Sequence, residues 1–117
     1  PAVDPGDLSS ASAGESSSAV RERVEAARAT QRERFGASGP TSNARMGRAE
    51  LEKHASLSDG PKRLLVAACR RLGLTARGYD RVRRVARTLA DLEGSEKIRE
   101  RHISEAVQYR IALMNTP

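Results

Sequence analysis

Three arginines at regular spacing are the residues of this sequence whose type and position could do chemistry. Arg77 follows Thr75 closely, and Arg81 and Arg84 lie four and seven residues after Arg77, which places all three on one face of an α-helix. Thr75 is a typical N-cap residue, so Arg77 falls in the first helical turn, where the helix dipole disfavours a cation unless an anion compensates it. A row of guanidinium groups starting there is typical of a phosphate-facing surface. A merely solvated helix face is the alternative interpretation of any one arginine.

The residue patterns of the common catalytic and metal sites are missing from the sequence. There is no phosphate loop of the GxxxxGK[ST] type and no nucleophile elbow. His54 and His102 lie far apart, and Cys69 has no histidine near it in the sequence, which excludes a local zinc motif. We expect Cys69 to be a buried thiol and His102 to be a partly exposed turn residue. The chain by itself is therefore predicted to contain no catalytic residue, to hold no metal and to bind no nucleotide.

Charge and composition restrict the class of partner. The net charge is +6, because 21 lysines and arginines, most of them arginine, outnumber 15 carboxylates. Arginine binds phosphate through paired hydrogen bonds, so this balance favours a phosphate-bearing partner. No apolar run approaches the ~18 residues that a membrane span requires, and we expect no contact with a membrane.

The elements that must position the arginines follow from the apolar pattern. Residues 1–19 are rich in Ser, Ala, Gly and Pro and cannot bury enough apolar surface to become ordered, so they are predicted to form a flexible linker. Residues 20–47 are expected to form a connecting helix, ending at Gly36, and a loop. Residues 48–117 should form a helical bundle, since no segment alternates apolar and polar residues as a strand does. The predicted fold class is all-α: a small helical bundle preceded by a long helix and a disordered N-terminal linker.

Capping signals divide the bundle into four helices. A short helix is expected at about 48–55, a second one from about 61 to 72, and the arginine-bearing helix at 76–92, with Gly94 beyond its end. The last helix is expected to begin near Ser104 or slightly earlier. In the arginine-bearing helix, the predicted apolar face consists of Tyr79, Val82, Val85, Ala86, Leu89 and Leu92. The rest of the helix surface, outside that face, is assigned to Arg77, Arg81, Arg83, Arg84 and Arg87.

A longer stretch of the chain resembles a known family. Residues 73–110, GLTARGYDRVRRVARTLADLEGSEKIRERHISEAVQYR, are similar to the C-terminal region of the magnesium-chelatase-like AAA+ ATPases, in the branch of the competence protein ComM. The segment ESSSAVRERVEAARATQRERF and the later Thr41-Ser42-Asn43-Ala44 also resemble that branch, between its ATPase core and its lid. The resemblance extends over about residues 15–110 with its motifs in the expected order.

The resemblance implies a role for Arg77. In AAA+ ATPases the helical lid follows the ATP-binding core and supplies a sensor-2 arginine to the γ-phosphate. In this family that arginine lies in a pattern like Thr-Ala-Arg, which Arg77 matches, and Arg81 and Arg84 are supporting candidates on the same face. The core, with its phosphate loop, magnesium-binding acid and arginine finger, would lie upstream.

The resemblance also implies partners for the parent protein. The parent would bind ATP and magnesium, assemble as a hexamer and work in the cytoplasm, with DNA processing in natural transformation as its task. The lid would contact its own AAA+ core and the neighbouring subunits. By itself the lid is expected to be a monomer.

Two other interpretations remain open. The helices on either side of Gly73 are joined by a tight turn, as in a helix-turn-helix module that binds DNA. However, no Asn, Gln or Ser that could read bases occurs between Thr75 and Leu92. A salt-dependent affinity for duplex DNA would favour that interpretation. In the other, the arginine row meets acidic residues of a neighbouring copy, and sedimentation would then reveal an oligomer.

Overall fold

The computed structural model describes residues 16–114 of the chain. Most of the predicted linker at 1–19, and residues 115–117, lie outside the described residues. The described part consists of five α-helices and one short 3₁₀-helix and contains no strand, so the all-α prediction is confirmed for it. The helices are α1 (Ser17–Phe35), the 3₁₀-helix (Asn43–Arg45), α2 (Arg48–His54), α3 (Asp59–Leu72), α4 (Ala76–Glu93) and α5 (Glu100–Met114).

Helix α4, which carries the three candidate arginines, has both of its predicted ends. The side chain of Thr75 accepts a hydrogen bond from the backbone N–H of Gly78 at 3.3 Å, as an N-cap residue does. Gly94 follows the helix with φ 78°, in the left-handed conformation that glycine adopts without strain. The local signals therefore place Arg77 in the first turn of α4, as expected.

Helix α4 is also the centre of the bundle. It packs against α1, the 3₁₀-helix, α2, α3 and α5. Small side chains on its inner face, such as Ala86 and Ala90, are fully buried and allow the neighbouring helices to approach closely. The buried core around them consists of Met46, Leu51, Ala55, Leu65, Ala68, Val82, Ile98, Ile103, Ala106 and Val107.

The loop predicted at 36–47 is irregular only in its first part. Its second part forms the 3₁₀-helix and folds onto α4. Asn43 and Met46 are each 1% exposed, and Met46 belongs to the core. The glycine-rich half is a connection, whereas the half after Pro40 is part of the packed domain.

Helix α5 begins earlier than Ser104, because His102 stabilises its first turn. The Nδ1 atom of His102 accepts a hydrogen bond from the backbone N–H of Arg99 at 2.8 Å. Since an N–H can only donate, the proton of a neutral ring lies on Nε2, which then donates to Glu93 at 3.2 Å. His102 is 1% exposed, so the expectation of a partly exposed turn residue was wrong.

The carboxylate of Glu93 has a second partner at this turn. Arg101 donates to both of its oxygens. The hydrogen bonds from Arg101, and then the contact with His102, lower the pKa of Glu93 to about 2, although some desolvation opposes the shift. The turn between α4 and α5 is thus held by an exposed carboxylate that stays ionised far into the acid range.

We expect acid titration to reveal this contact. Because the folded-state pKa of Glu93 lies below its ordinary value of 4.5, the contact stabilises the fold fully above that value and is lost as the pH falls toward 2. NMR titration of the Glu93 carboxyl carbon should give a midpoint near 2, and Arg101→Gln should raise it. A midpoint near 4.5 in the unaltered chain would contradict the contact.

Candidate functional site

Arg77 is exposed to solvent in the first turn of α4. No hydrogen bond or ion pair joins its side chain to another residue within 16–114. The first turn of α4 also contains no acidic residue, so the positive helix N-terminus and the guanidinium lie together without a carboxylate from that turn. Such an arrangement favours an anion that comes from outside the domain.

The other two candidate arginines differ from each other. Arg81, one turn after Arg77, is exposed and has no partner within the described part. Arg84 is half-buried, and its Nε donates to the backbone carbonyl of Met46 at 2.8 Å. The structure thus presents Arg77 and Arg81 to solvent together, whereas Arg84 holds the 36–47 loop against α4.

Arg83 and Arg87 are buried, although the sequence pattern assigned them to the part of α4 outside its apolar face. They are 5% and 4% exposed. Arg83 donates to the carboxylates of Glu52 and Asp80 and to the carbonyl of Ala55. The planar guanidinium can satisfy several acceptors at once, and this is why an arginine is accommodated at the bundle's interior.

Arg87, one turn after Arg83, joins α4 to the end of α2 and to the turn that follows α4. Its terminal nitrogens donate to the carbonyls of Ser95 at 2.7 Å, Glu96 at 2.9 Å and His54 at 3.3 Å, and it pairs with Asp91 at 3.1 Å. Burial lowers the pKa of Arg87, and the charge of Asp91 opposes that shift. The residue therefore acts as a structural link between the chain segments around α4.

A buried polar group that no local sequence pattern predicts joins α1 to α4. We call Arg34, Asn43 and Asp91 the polar lock. Arg34 donates to both oxygens of Asp91, each at 2.8 Å, and its NH1 also donates to the side-chain oxygen of Asn43 at 2.9 Å. The Asn43 amide donates to Asp91 at 2.7 Å. The only signals in the sequence were Asp91, four residues after Arg87, and the family-like Thr41–Ala44 segment.

The charge state of Asp91 follows from these contacts. Burial alone would raise the pKa of Asp91, but hydrogen bonds from Arg34 and Asn43 and the charges of Arg87 and Arg34 outweigh it. The pKa of Asp91 therefore lies below its ordinary value. The carboxylate is ionised at neutral pH and balances two cations that would otherwise be buried without a counter-charge.

A cleft of about 420 Å³ opens beside the first turn of α4, between α2, α3 and α4. Cys69 lines it and is partly buried rather than fully buried. Burial raises the pKa of the Cys69 thiol, which is opposite to the shift that activates a nucleophilic cysteine. The cleft therefore carries no activated thiol.

The described residues contain no cluster of metal-ligating side chains. No three His, Cys, Asp or Glu side chains within 16–114 come close enough to hold a metal ion. In the same range, no helix is both long and apolar enough to cross a lipid bilayer.

Comparison with known proteins gives a family and three relatives. The family model for the magnesium chelatase subunit ChlI C-terminal region matches residues 14–110. Competence protein ComM of Haemophilus influenzae is 40% identical over 97 residues, which are 83% of this chain and 18% of that protein. The uncharacterized protein YifB of Salmonella typhimurium is 40% identical over 111 residues, 94% of this chain and 21% of YifB. YifB of Escherichia coli is 37% identical over 97 residues.

The family match contains the first four α-helices and the 3₁₀-helix completely, and α5 up to residue 110. The chain spans only about a fifth of the length of these relatives. No solved structure matches it significantly. The family match includes α1, the polar lock and the first turn of α4 with Arg77, and it confirms the resemblance noted in the sequence. The chain therefore belongs to the magnesium chelatase ChlI C-terminal family, as a helical domain of the lid type.

Proposed function

We propose that this domain is the lid of an AAA+ ATPase and that Arg77 is its sensor-2 arginine. The guanidinium would contact the γ-phosphate of ATP bound by a core outside the described residues. The observation that carries the proposal is an exposed cation without a partner in the first turn of α4. Arginines elsewhere on this helix, such as Arg83 and Arg87, are buried in ion pairs, so Arg77 is available for an anion and they are not.

Rigid support is what makes such a cation effective. Charge that develops on a transferred phosphoryl group is stabilised best by groups that are already in place. Helix α4 contacts every other described helix, so the backbone that carries Arg77 is held from several sides. Since the contact exists only while the γ-phosphate is present, the angle of the lid would depend on the nucleotide state.

The ATP-binding core and the other subunits would come from the parent protein. We infer that its core holds ATP and magnesium, that it assembles as a hexamer in the cytoplasm, and that it acts on DNA in the manner of the ComM branch. Arg81 would add positive potential beside Arg77. Arg84 would contribute less, because its Nε is already bonded to Met46.

Most of the arginines of α4 are not available to contact DNA. Arg83 and Arg87 are buried, and Arg84 is half-buried and bonded to backbone. Only Arg77 and Arg81 remain exposed among the arginines of α4. Two exposed cations on a helix that contains no Asn, Gln or Ser favour a contact with a phosphate group over recognition of a sequence.

Chemical modification of arginine in the intact protein tests the proposal. Phenylglyoxal should modify Arg77 in the nucleotide-free protein, because this side chain is exposed and unpaired within the described residues. A non-hydrolysable ATP analogue should protect Arg77, whereas ADP, which lacks the γ-phosphate, should not. Peptide mass spectrometry measures the modified fraction, and exposed Arg63 on α3 is the matched control that neither nucleotide should protect. Equal modification of Arg77 with and without the analogue would overturn the proposal.

A further inference from the structure

Apart from Phe35 at its end, which packs against the core, helix α1 has little apolar packing to hold it against the bundle. Ala27 is its only buried residue. Val20, near its beginning, is 41% exposed. The helix packs chiefly on α4, and its mean hydropathy is low because eight of its 19 residues are charged. Polar contacts must therefore supply much of the fixed geometry between α1 and α4.

The geometry of the polar lock fixes the angle between α1 and α4 as well as the distance between them. Each terminal nitrogen of Arg34 donates to one oxygen of Asp91. Two parallel bonds of this kind fix the orientation of the guanidinium plane relative to the carboxylate plane. The Arg34 side chain is 12% exposed and that of Asp91 is 1% exposed, so water competes little for these bonds. Asn43 ties the same carboxylate to the 3₁₀-helix, and its backbone N–H donates to Gln31 of α1 at 2.9 Å. Three elements thus meet at one carboxylate.

Asp91 and Arg77 lie on the same helix. At 1.5 Å of rise per residue they are separated by about 21 Å along α4. A rotation of α4 by about 10° at Asp91 would therefore displace Arg77 by about 4 Å. Misplacement of a reacting group by about 1 Å can already reduce a rate by about 100-fold.

We propose that the polar lock makes α1 and the bundle one rigid body and thereby positions Arg77 against ATP. This inference rests on the proposed role of Arg77. Helix α1 is the element through which the bundle is joined to the chain that precedes it. Arg34, Asn43 and Asp91 are then positioning residues that do not touch the nucleotide.

Distance measurements in the intact protein test the rigidity. Spin labels introduced through a non-natural amino acid at positions 28 and 63 would report on α1 and α3, since Arg28 and Arg63 are both exposed. Arg34→Gln should broaden the distance distribution at least twofold in spin-diluted samples. Arg32→Gln, which removes an exposed arginine of the same helix, should leave it unchanged. An unchanged width in Arg34→Gln would overturn the proposal.

ATP turnover tests the positioning. Arg34→Gln should lower kcat about 10-fold while the KM for ATP stays within about twofold, because the contact that is misplaced acts mainly in the transition state. Adding Arg34→Gln to Arg77→Ala should cause no further loss, since Arg34 acts only through Arg77. A further 10-fold loss in the double variant would overturn the proposal, because a general structural defect predicts such a loss.

The two proposals fail in different ways. Normal turnover in Arg77→Ala alone would overturn the sensor role of Arg77. It would also overturn the proposal that the polar lock positions Arg77. A broadened distance distribution with normal turnover in Arg34→Gln would overturn the positioning role alone. If Arg34→Gln does not fold, as judged by circular dichroism, Arg34→Lys serves instead, because it keeps the charge opposite Asp91 and loses the paired bonds. Arg34→Lys should broaden the distribution and lower kcat, and wild-type values of both would overturn the proposal.

Discussion

Arg77→Ala in the intact protein is expected to lower kcat for ATP hydrolysis by about 100- to 1,000-fold, the usual effect of removing one preorganised group that stabilises transition-state charge. The KM for ATP should change little, since the lost interaction strengthens as charge develops on the phosphoryl group. Steady-state kinetics over a range of ATP concentrations separates the two constants.

The fold should be unaffected by the same substitution. Arg77 is exposed and makes no hydrogen bond or ion pair within residues 16–114, and surface changes of this kind alter stability by about 0.5 kcal/mol or less. Arg63→Ala on α3 is the control, since it removes an equally exposed arginine and should leave kcat unchanged. Turnover within about twofold of wild type in Arg77→Ala would remove this residue from the site.

Asp91→Ala is expected to destabilise the domain by about 3–5 kcal/mol, the usual result of breaking a buried ion pair by removing one partner. The substitution leaves Arg34 and Arg87 close together without their shared carboxylate and deprives Asn43 of an acceptor. For a domain of this size the melting temperature should fall by about 4–8 °C for each kcal/mol. Urea or thermal unfolding of the chain, followed by circular dichroism, measures the loss.

A pH series and a control variant complete that experiment. The folded-state pKa of Asp91 is lowered, so its stabilising effect is present at neutral pH and is lost in acid. The difference between wild type and Asp91→Ala should therefore shrink as the pH falls below 3.8, the ordinary pKa of this group. Glu105→Ala, at an exposed position of α5, should cost about 0.5 kcal/mol or less. A loss below about 1 kcal/mol in Asp91→Ala would show that the lock is not a major source of stability.

The helices could be predicted from the sequence because their signals are local. Thr75 and Gly94 mark the ends of α4 through bonds and backbone angles within a few residues. The placement of Arg77 in the first turn followed from Thr75 in the same way. Helix α5 begins at Glu100, four residues before Ser104, because a buried histidine at position 102, rather than a Ser or Thr, supports its first turn.

The partners of the arginines could not be predicted in this way. Arg34 and Asp91 are 57 residues apart in the sequence, and no helical period links them. Arg83 and Arg87 fall one position after Val82 and Ala86 on α4, at the edge of the apolar stripe. At such an edge, burial depends on whether acceptors from other elements are within reach.

The sequence by itself determined the all-α fold, the bounds of most helices and the position of Arg77 at a helix start, because caps, glycines and apolar spacing act over a few residues. It also determined the family, because the family's motifs occur in the expected order along the chain. Only the tertiary structure decided which arginines are exposed and which are buried, and that α1 is tied to α4 at Asp91. Those outcomes depend on hydrogen-bond acceptors from distant parts of the chain. Helix packing, rather than a local sequence pattern, brings these acceptors close to the arginines.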